Sequence, residues 1–300
     1  MFAYLITAHN EPISLYKMVL TMRDPRVIFF VHIDKKTEIA PFEKLFQHMD
    51  NVVLIEDRVA VYWGGWSLVQ AALNLIESAY RSDHQFTRYT FLSGLCYPIK
   101  PNKEIFKIFE RNQEFISAHK MPAPELNKPM SRINRFFVEG EYRQAGLRPK
   151  LIKIFNIINS LCWKRDYIRG LDGVEPYAGS SWWSLSHDAI EVIRTFLQER
   201  RQIVSFFKNT KCPDECFFQT VIINSHLKEK VFDSLTYVDW KDKYEKPCHI
   251  GAKHLPFLLK RETSDHITLK DEPICFVRKI SSKNNDIRDH IDRVLKQRLA

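Results

Sequence analysis

The chain has 300 residues, 45% hydrophobic and 27% charged, with only nine glycines, a soluble globular profile long enough for one large α/β core or two closely packed lobes. Its formal net charge of +9 points to an anionic partner (phosphate, nucleic acid or a negatively charged membrane surface), unless the protein is simply basic. No long Lys/Arg run or nucleic-acid motif stands out, which sets nucleic acid aside and leaves phosphate on a small molecule.

The chain opens in an α/β rhythm. Residues 2–8 read as a buried strand, 12–22 as a helix, and 26–33 as a second continuous apolar run of the kind a doubly covered parallel strand requires. A helix over 42–49 and a strand over 52–55 follow. Strands alternating with helices from the first residue imply a doubly wound sheet with ligands at the carboxyl ends of its strands, where Asp34 stands. The glycine fingerprint GxGxxG and the P-loop are both missing. Gly64-Gly65 form a tight turn between Trp63 and Trp66, which serve either as stacking faces or as a core pair, and a long helix runs from about 68 to 80. Residues 89–94 read as another buried strand, 95–100 as a lead into a helix over 102–110, and 115–118 as a short strand.

Residues 121–148 are basic, contain proline and lack periodicity, as a substrate loop or a plain surface excursion would. A helix is expected over 151–163, a strand over 178–185, and a helix from the Ser186-His187-Asp188 cap to about 198. In Cys212-Pro213-Asp214-Glu215-Cys216, Pro213 fixes φ where a helix should begin, and two first-turn carboxylates suit its dipole. Glu215, beside two aromatics, has the place of a general base on a hydroxyl, although Pro-Asp-Glu alone is more often only a helix start. Beyond it come a strand over 232–240, a polar loop over 241–249, a short helix over 254–259, the cations Arg278-Lys279 at the end of an apolar run, and an amphipathic helix over 286–299 that packs on the surface.

The six cysteines, at 96, 162, 212, 216, 248 and 275, show neither a CxxC pair nor zinc-ligand spacing. Residues 1–8 are too short for a signal h-region, and nothing approaches a membrane span. Free thiols in a reducing cytoplasm are therefore expected.

The ordered set HIDKK (32–36), WGGWS (63–67), FLSGLCYPIKPN (91–102), GSSWW (179–183), CPDECFFQT (212–220), TYVDW (236–240) and FVRK (276–279) resembles glycosyltransferase family 14 across nearly the whole chain. That family holds the core-2/I-branching β-1,6-N-acetylglucosaminyltransferases and the peptide O-xylosyltransferases. The resemblance implies a single GT-A type, Rossmann-like domain with a mostly parallel central sheet, its donor-binding half at about 1–120 and its acceptor half at about 121–300. It implies an inverting, metal-independent transfer from a UDP-sugar, most simply N-acetylglucosamine, to a glycan or lipid-linked saccharide, with no cofactor. No two aspartates lie two apart, so the usual Asp-x-Asp metal motif is absent and other charges must neutralise the diphosphate. By position, Glu215 matches the catalytic base and Arg278 and Lys279 the cations on the diphosphate. Asp34, Lys36, Val61 and Trp63 match nucleotide contacts, Arg135 a basic residue near the acceptor, and Trp182, Tyr237 and Asp239 acceptor or donor-sugar contacts that could equally be structural.

Two departures stand out. Many relatives carry Asp where this chain has Cys96, and xylosyltransferase-like members carry Asp where it has Ser181, which puts xylose in doubt without establishing N-acetylglucosamine. The implied enzyme is of bacterial type and cytoplasmic, its charge holding it near an anionic inner membrane face. The alternatives are a xylosyltransferase of the same family and a catalytically silent sugar- or nucleotide-binding module of the same fold.

Overall fold

The computed structural model describes the chain except residues 142–145, 163, 241–246, 260–267, 270–271 and 300. Parts of the expected irregular segment and polar loop, and the end of the 151–163 helix, lie outside the described residues. The first half supplies strands β1 (Phe2–Ala8), β2 (Val27–Ile33), β3 (Val52–Leu54), β4 (Arg88–Ser93), β5 (Cys96–Pro98), β6 (Glu114–Ile116) and β7 (His119–Lys120). Between them run helices α1 (Pro12–Met22), α2 (Ala40–Phe46), α3 (Ser67–Tyr80) and α4 (Asn102–Phe109). The second half adds α5 (Leu147–Cys162), α6 (Tyr167–Gly170), β8 (Tyr177–Ala178), β9 (Trp183–Ser186), α7 (His187–Glu199), α8 (Arg201–Lys208) and α9 (Phe217–Ile223). It ends with β10 (Val231–Phe232), β11 (Thr236–Val238), α10 (Leu255–Leu258), the pair β12 (Thr268–Leu269) and β13 (Glu272–Pro273), β14 (Phe276–Arg278) and α11 (Asn285–Leu299).

The fold is α/β, and its main sheet has the order β10-β6-β9-β4-β1-β2-β3. Its strands all run one way except β9, which is antiparallel to both β4 and β6. This is the mostly parallel sheet expected of a GT-A type domain. Because β9 enters between β4 and β6, residues 183–186 complete the sheet that residues 2–93 begin. Alternation along β1 explains the two cores. Phe2, Tyr4 and Ile6 point into a cluster with α1, α4 and α11, while Ala3 and Leu5 point into one with α3, α7 and α9. Arg88 pins the centre: it is fully buried and donates to the carbonyls of Phe109, Arg111, Gln113 and Ser184, with Glu114 at 3.8 Å. Those acceptors satisfy a guanidinium that burial would otherwise penalise.

Several boundaries differ from expectation for local reasons. The run 178–185 is not one strand: a Cβ at Gly179 would come within 1.6 Å of the Ser117 carbonyl, so the chain jams there and resumes as β9. The helix expected from Pro213 is a 3₁₀ turn over Pro213–Glu215, and α9 begins only at Phe217, because Cys216 at φ −133° breaks the spiral. The strand over 232–240 is two short ones, β10 and β11. Residues 95–100 contain a true strand, β5, which with β11 and β14 forms a second sheet. Helix α5 starts a turn before 151, and α8 was not foreseen. Ser186 caps α7 as expected, its hydroxyl accepting from Ala189 N–H at 3.2 Å.

Candidate active site

The expected motifs converge at the carboxyl ends of β1, β2 and β4. Asp34 follows β2, is buried, and accepts at Oδ1 from the N–H of Lys36 at 2.9 Å and of Val61 at 3.4 Å. Lys36 Nζ donates to Asp34 Oδ2 at 3.0 Å and to the Val61 carbonyl, and lies over the Tyr62 ring. Asp34, Lys36 and Val61 are thus one cluster, braced by Arg58, which donates to the carbonyls of Ile33, Asp34 and Thr37. His32 in the same motif is structural: burial pulls its pKa down to about 4, and its Nε2 accepts from Val59 N–H at 2.9 Å. The two tryptophans of the glycine turn part company. Trp66 is buried edge-to-face on Phe217, whereas Trp63 is 57% exposed.

That turn is tied to the central stretch, since Cys212 N–H donates to the Gly64 carbonyl at 2.8 Å. Cys212 sits at φ 52°, swinging Pro213–Glu215 outward before α9 carries the chain into the core. The GSSWW segment clamps the stretch from the other side. Gly179 N–H donates to the Glu215 carbonyl at 2.8 Å, Gln219 Nε2 to the Ser180 carbonyl at 2.6 Å, and Ser181 Oγ to Asp214 Oδ2 at 2.6 Å. Asp214 is pushed up to about 6, by burial first and then by the neighbouring Glu215 charge. Ser181 therefore spends its proton on the carboxylate next to the candidate base.

Glu215 itself receives two cations on one oxygen. Lys128 Nζ at 2.5 Å and Arg132 Nη1 both donate to Oε2, while Oε1 accepts no hydrogen bond from the described residues. Neither cation was singled out from sequence. Arg132 lies three residues before Arg135 in the irregular segment, and the four-residue spacing Lys128–Arg132 was the one available signal. Arg135 offers its carbonyl to Arg165 Nη1 at 3.4 Å.

Arg278 lies across the second sheet, opposite Cys96 in the β5–β14 ladder. Its guanidinium stands 4.9 Å over the Trp182 ring, yet Nε and Nη1 are buried without a hydrogen-bond partner. Burial lowers its pKa from the usual arginine value. Trp182 is 8% exposed and stacked on Phe91, so it serves as the wall behind Arg278 rather than as an open face for an acceptor. Adjacent residues thus join the two centres, Trp182 under Arg278 and Ser181 on Asp214. His9, at the end of β1, was read only as loop. Desolvation lowers its pKa, Asp34 and Glu11 oppose, and Arg278 and Lys36 add to the lowering.

Tyr237 and Asp239 are turned inward. Tyr237 packs edge-on against Phe257 and His254, and burial raises its pKa. Asp239 is 5% exposed, and its Oδ2 meets Cys248 Sγ at 3.0 Å and His254 Nε2 at 2.9 Å. Those three ligand atoms lie within 4.8 Å of one another, the arrangement among the described residues that could close on a metal ion despite the unpromising cysteine spacing. Gly251 N–H donates to His254 Nδ1 at 2.9 Å, so Nε2 carries the proton and donates to Asp239. The trio is satisfied as a hydrogen-bond network. It anchors the loop in which Ile250 N–H holds the Lys279 carbonyl at 3.0 Å. Asp239 thereby acts on Lys279 from behind, through the loop that holds the Lys279 carbonyl.

The chain is 25% identical to "Xylosyltransferase 2" of Rattus norvegicus and to its Homo sapiens counterpart, each over 97% of this chain and 33% of that protein. It is 23% identical to "Xylosyltransferase oxt" of Drosophila melanogaster over 84% of this chain and 28% of that protein. It thus spans about a third of the length of the curated relatives it matches. An overlay on apo mouse Xyloside xylosyltransferase 1 gives a TM-score of 0.40 at 10% identity, covering 92% of this chain and 97% of that one, a score too low to carry weight. The Core-2/I-Branching enzyme family model matches residues 2–258, a span that takes in Asp34, Trp63, Ser181 and Glu215 with the geometry described above. On that match, the chain belongs to the Core-2/I-Branching enzyme family.

Proposed function

We propose that the protein is an inverting glycosyltransferase that moves a sugar from a UDP-sugar to a hydroxyl of a glycan or lipid-linked acceptor without a divalent metal. The observation that carries the reading is Arg278, whose Nε and Nη1 are buried without a partner while its guanidinium is backed by the Trp182 ring. A buried cation with free donors is expensive unless an anion completes it, and a diphosphate supplies oxygens in the right geometry. Lys279 adds a second charge. With no Asp-x-Asp spacing in the chain, these cations take the role a bound metal would fill.

In the proposed step the acceptor oxygen forms its bond to the anomeric carbon as the bond from that carbon to the diphosphate oxygen breaks on the opposite face. Glu215 Oε1 takes the acceptor proton, and Arg278 and Lys279 take the charge developing on the diphosphate. Lys128 and Arg132 hold Oε2 and so fix the carboxylate for the transfer. Asp34, Lys36, Val61 and Trp63 frame the nucleotide. The donor sugar has two readings. Ser181, bonded to Asp214 in place of a second carboxylate, counts against xylose without establishing N-acetylglucosamine; the relatives named as xylosyltransferases favour xylose.

A thermal-shift screen with UDP, UDP-N-acetylglucosamine, UDP-xylose, UDP-glucose and GDP-mannose, with and without EDTA, tests this. A ligand at a hundredfold excess over Kd stabilises by about 2.7 kcal/mol. A UDP-specific shift that survives EDTA and is lost in Arg278→Ala/Lys279→Ala supports the proposal, and the sugar giving the largest shift names the donor. The absence of any shift with UDP compounds overturns the donor site.

A further inference from the structure

Helix α5 turns its apolar side outward. Leu147, Leu151, Ile154, Phe155, Ile157 and Ile158 are between 46 and 75% exposed. At 3.6 residues per turn they occupy one arc of about 160°. The helix is nevertheless firmly seated by its other face. Val138 N–H donates to Asn156 Oδ1 at 2.9 Å, and Asn156 Nδ2 donates back to the Val138 carbonyl at 2.8 Å. Ile152 lies so close over Gly140 that a Cβ there would come within 2.6 Å of it, and Asn159 is buried. A contiguous apolar surface on a seated helix marks an interaction face.

The charge around that face selects the partner. From Leu147 to Arg165 the sequence carries five Lys or Arg and no Asp or Glu, and Lys150 and Lys153 are exposed on the stripe's border. A second copy docked through the same face would set these cations against their own images with no acid in 147–165 to offset them. An anionic bilayer answers both features, its acyl boundary taking the apolar arc and its headgroup phosphates the lysines.

We propose that α5 docks the protein on anionic lipid bilayers, lying in the interface plane with Leu151, Ile154, Phe155 and Ile158 inserted. Just past α5, Arg165 N–H donates to the Asn134 carbonyl at 2.8 Å, in the segment whose Arg132 holds Glu215. Docking would therefore present the acceptor side of the cleft to the lipid surface. This last step deepens the proposed function and rests on it, making the acceptor a saccharide carried on a lipid. The docking face itself does not depend on it.

Co-sedimentation of the full chain with phosphatidylcholine vesicles, and with vesicles in which phosphatidylglycerol replaces a third of the lipid, is the test. The chain is expected to pellet with the anionic vesicles and to be released by high salt. Leu151→Glu/Phe155→Glu should weaken partitioning at least tenfold. Lys150→Gln/Lys153→Gln should weaken it by about thirtyfold on anionic vesicles alone, since each basic residue near the surface contributes about a factor of five. All four positions are exposed, so both variants should keep the wild-type thermal unfolding and UDP shift, which separates failure of docking from failure of the donor site. Wild-type chain remaining in the supernatant with anionic vesicles overturns the proposal. So does pelleting that the apolar pair leaves unchanged, or a dimer in light scattering that the same pair dissolves without vesicle binding.

Discussion

Glu215 carries two cations on Oε2 and leaves Oε1 without a hydrogen bond from the described residues, a division of labour between holding and reacting. Glu215→Gln keeps the size and much of the bonding but cannot take a proton. Its kcat is expected to fall about 10²–10⁴-fold with the UDP Kd unchanged, measured by initial transfer rates and calorimetric titration. A parallel loss of UDP affinity would instead make Glu215 part of the donor site. Its neighbour Asp214 is raised to about 6, by burial and then by Glu215, so the folded state binds this proton more tightly than the unfolded one. The associated stability is present at acid pH and is lost as pH climbs from about 4, the unfolded value, through about 6. Asp214→Asn, still able to accept from Ser181, escapes that loss. It is expected to exceed wild type by about 3 kcal/mol at neutral pH, with the gap closing toward pH 4. Urea unfolding across that range reads the gap; a pH-independent difference would separate the ionisation from folding.

At the scale of elements, the ladder between β5 and β14 decides what Arg278 has for company. Its register places Cys96 opposite, a buried thiol near the guanidinium that cannot neutralise it as a carboxylate would. Cys96→Asp would give Arg278 an internal ion partner competing with the diphosphate. UDP affinity is expected to fall by about tenfold, the effect of a charge interaction near 1.4 kcal/mol, with thermal stability unchanged or raised. Unaltered affinity would mean that Arg278 already faces away from the ligand. Only part of this arrangement was legible beforehand. β1, β2 and α1 are long apolar or periodic segments, and their bounds match expectation within a residue. β5 has three residues and β8 two, too few for any period to register, so the jam at Gly179 and the register of Cys96 emerged only in three dimensions. Motif order located Glu215, Arg278 and the Asp34 cluster. It missed Lys128 and Arg132 because they reach Glu215 across 87 and 83 residues from an aperiodic segment. It left Trp182 and Asp239 open between sugar contacts and structural roles, because a motif does not reveal that both side chains face inward.

At the scale of the whole molecule, the C-terminal segment closes both the core and the cleft, although the family model ends at Leu258. Arg278 and Lys279 lie beyond that point, and so does α11. Its Ile287, Ile291 and Leu295 are buried in the cluster that holds Tyr4 and Phe29 of the central strands. Tyr97 of β5 donates to Asp292 at 2.8 Å, and Arg288 Nη2 donates to Ser14 Oγ at 3.0 Å. Ser14 in turn donates to Glu11, which also accepts from Ser282 N–H, so α11 braces the loop leading from His9 into α1. Burying three such side chains contributes about 1.5–3 kcal/mol each, a large share of the roughly 5–15 kcal/mol that holds a typical domain together. Ile291→Ala is therefore expected to cost about 2–5 kcal/mol in urea unfolding while leaving the UDP Kd intact in the folded fraction. A chain ended after Asn284 should lose its near-ultraviolet circular dichroism and its UDP shift together, even though Arg278 and Lys279 are still present. If that shortened chain unfolded cooperatively at the wild-type midpoint, α11 would be an appendage, and the bracing of the cleft from behind would have to come from β5 and β14 alone.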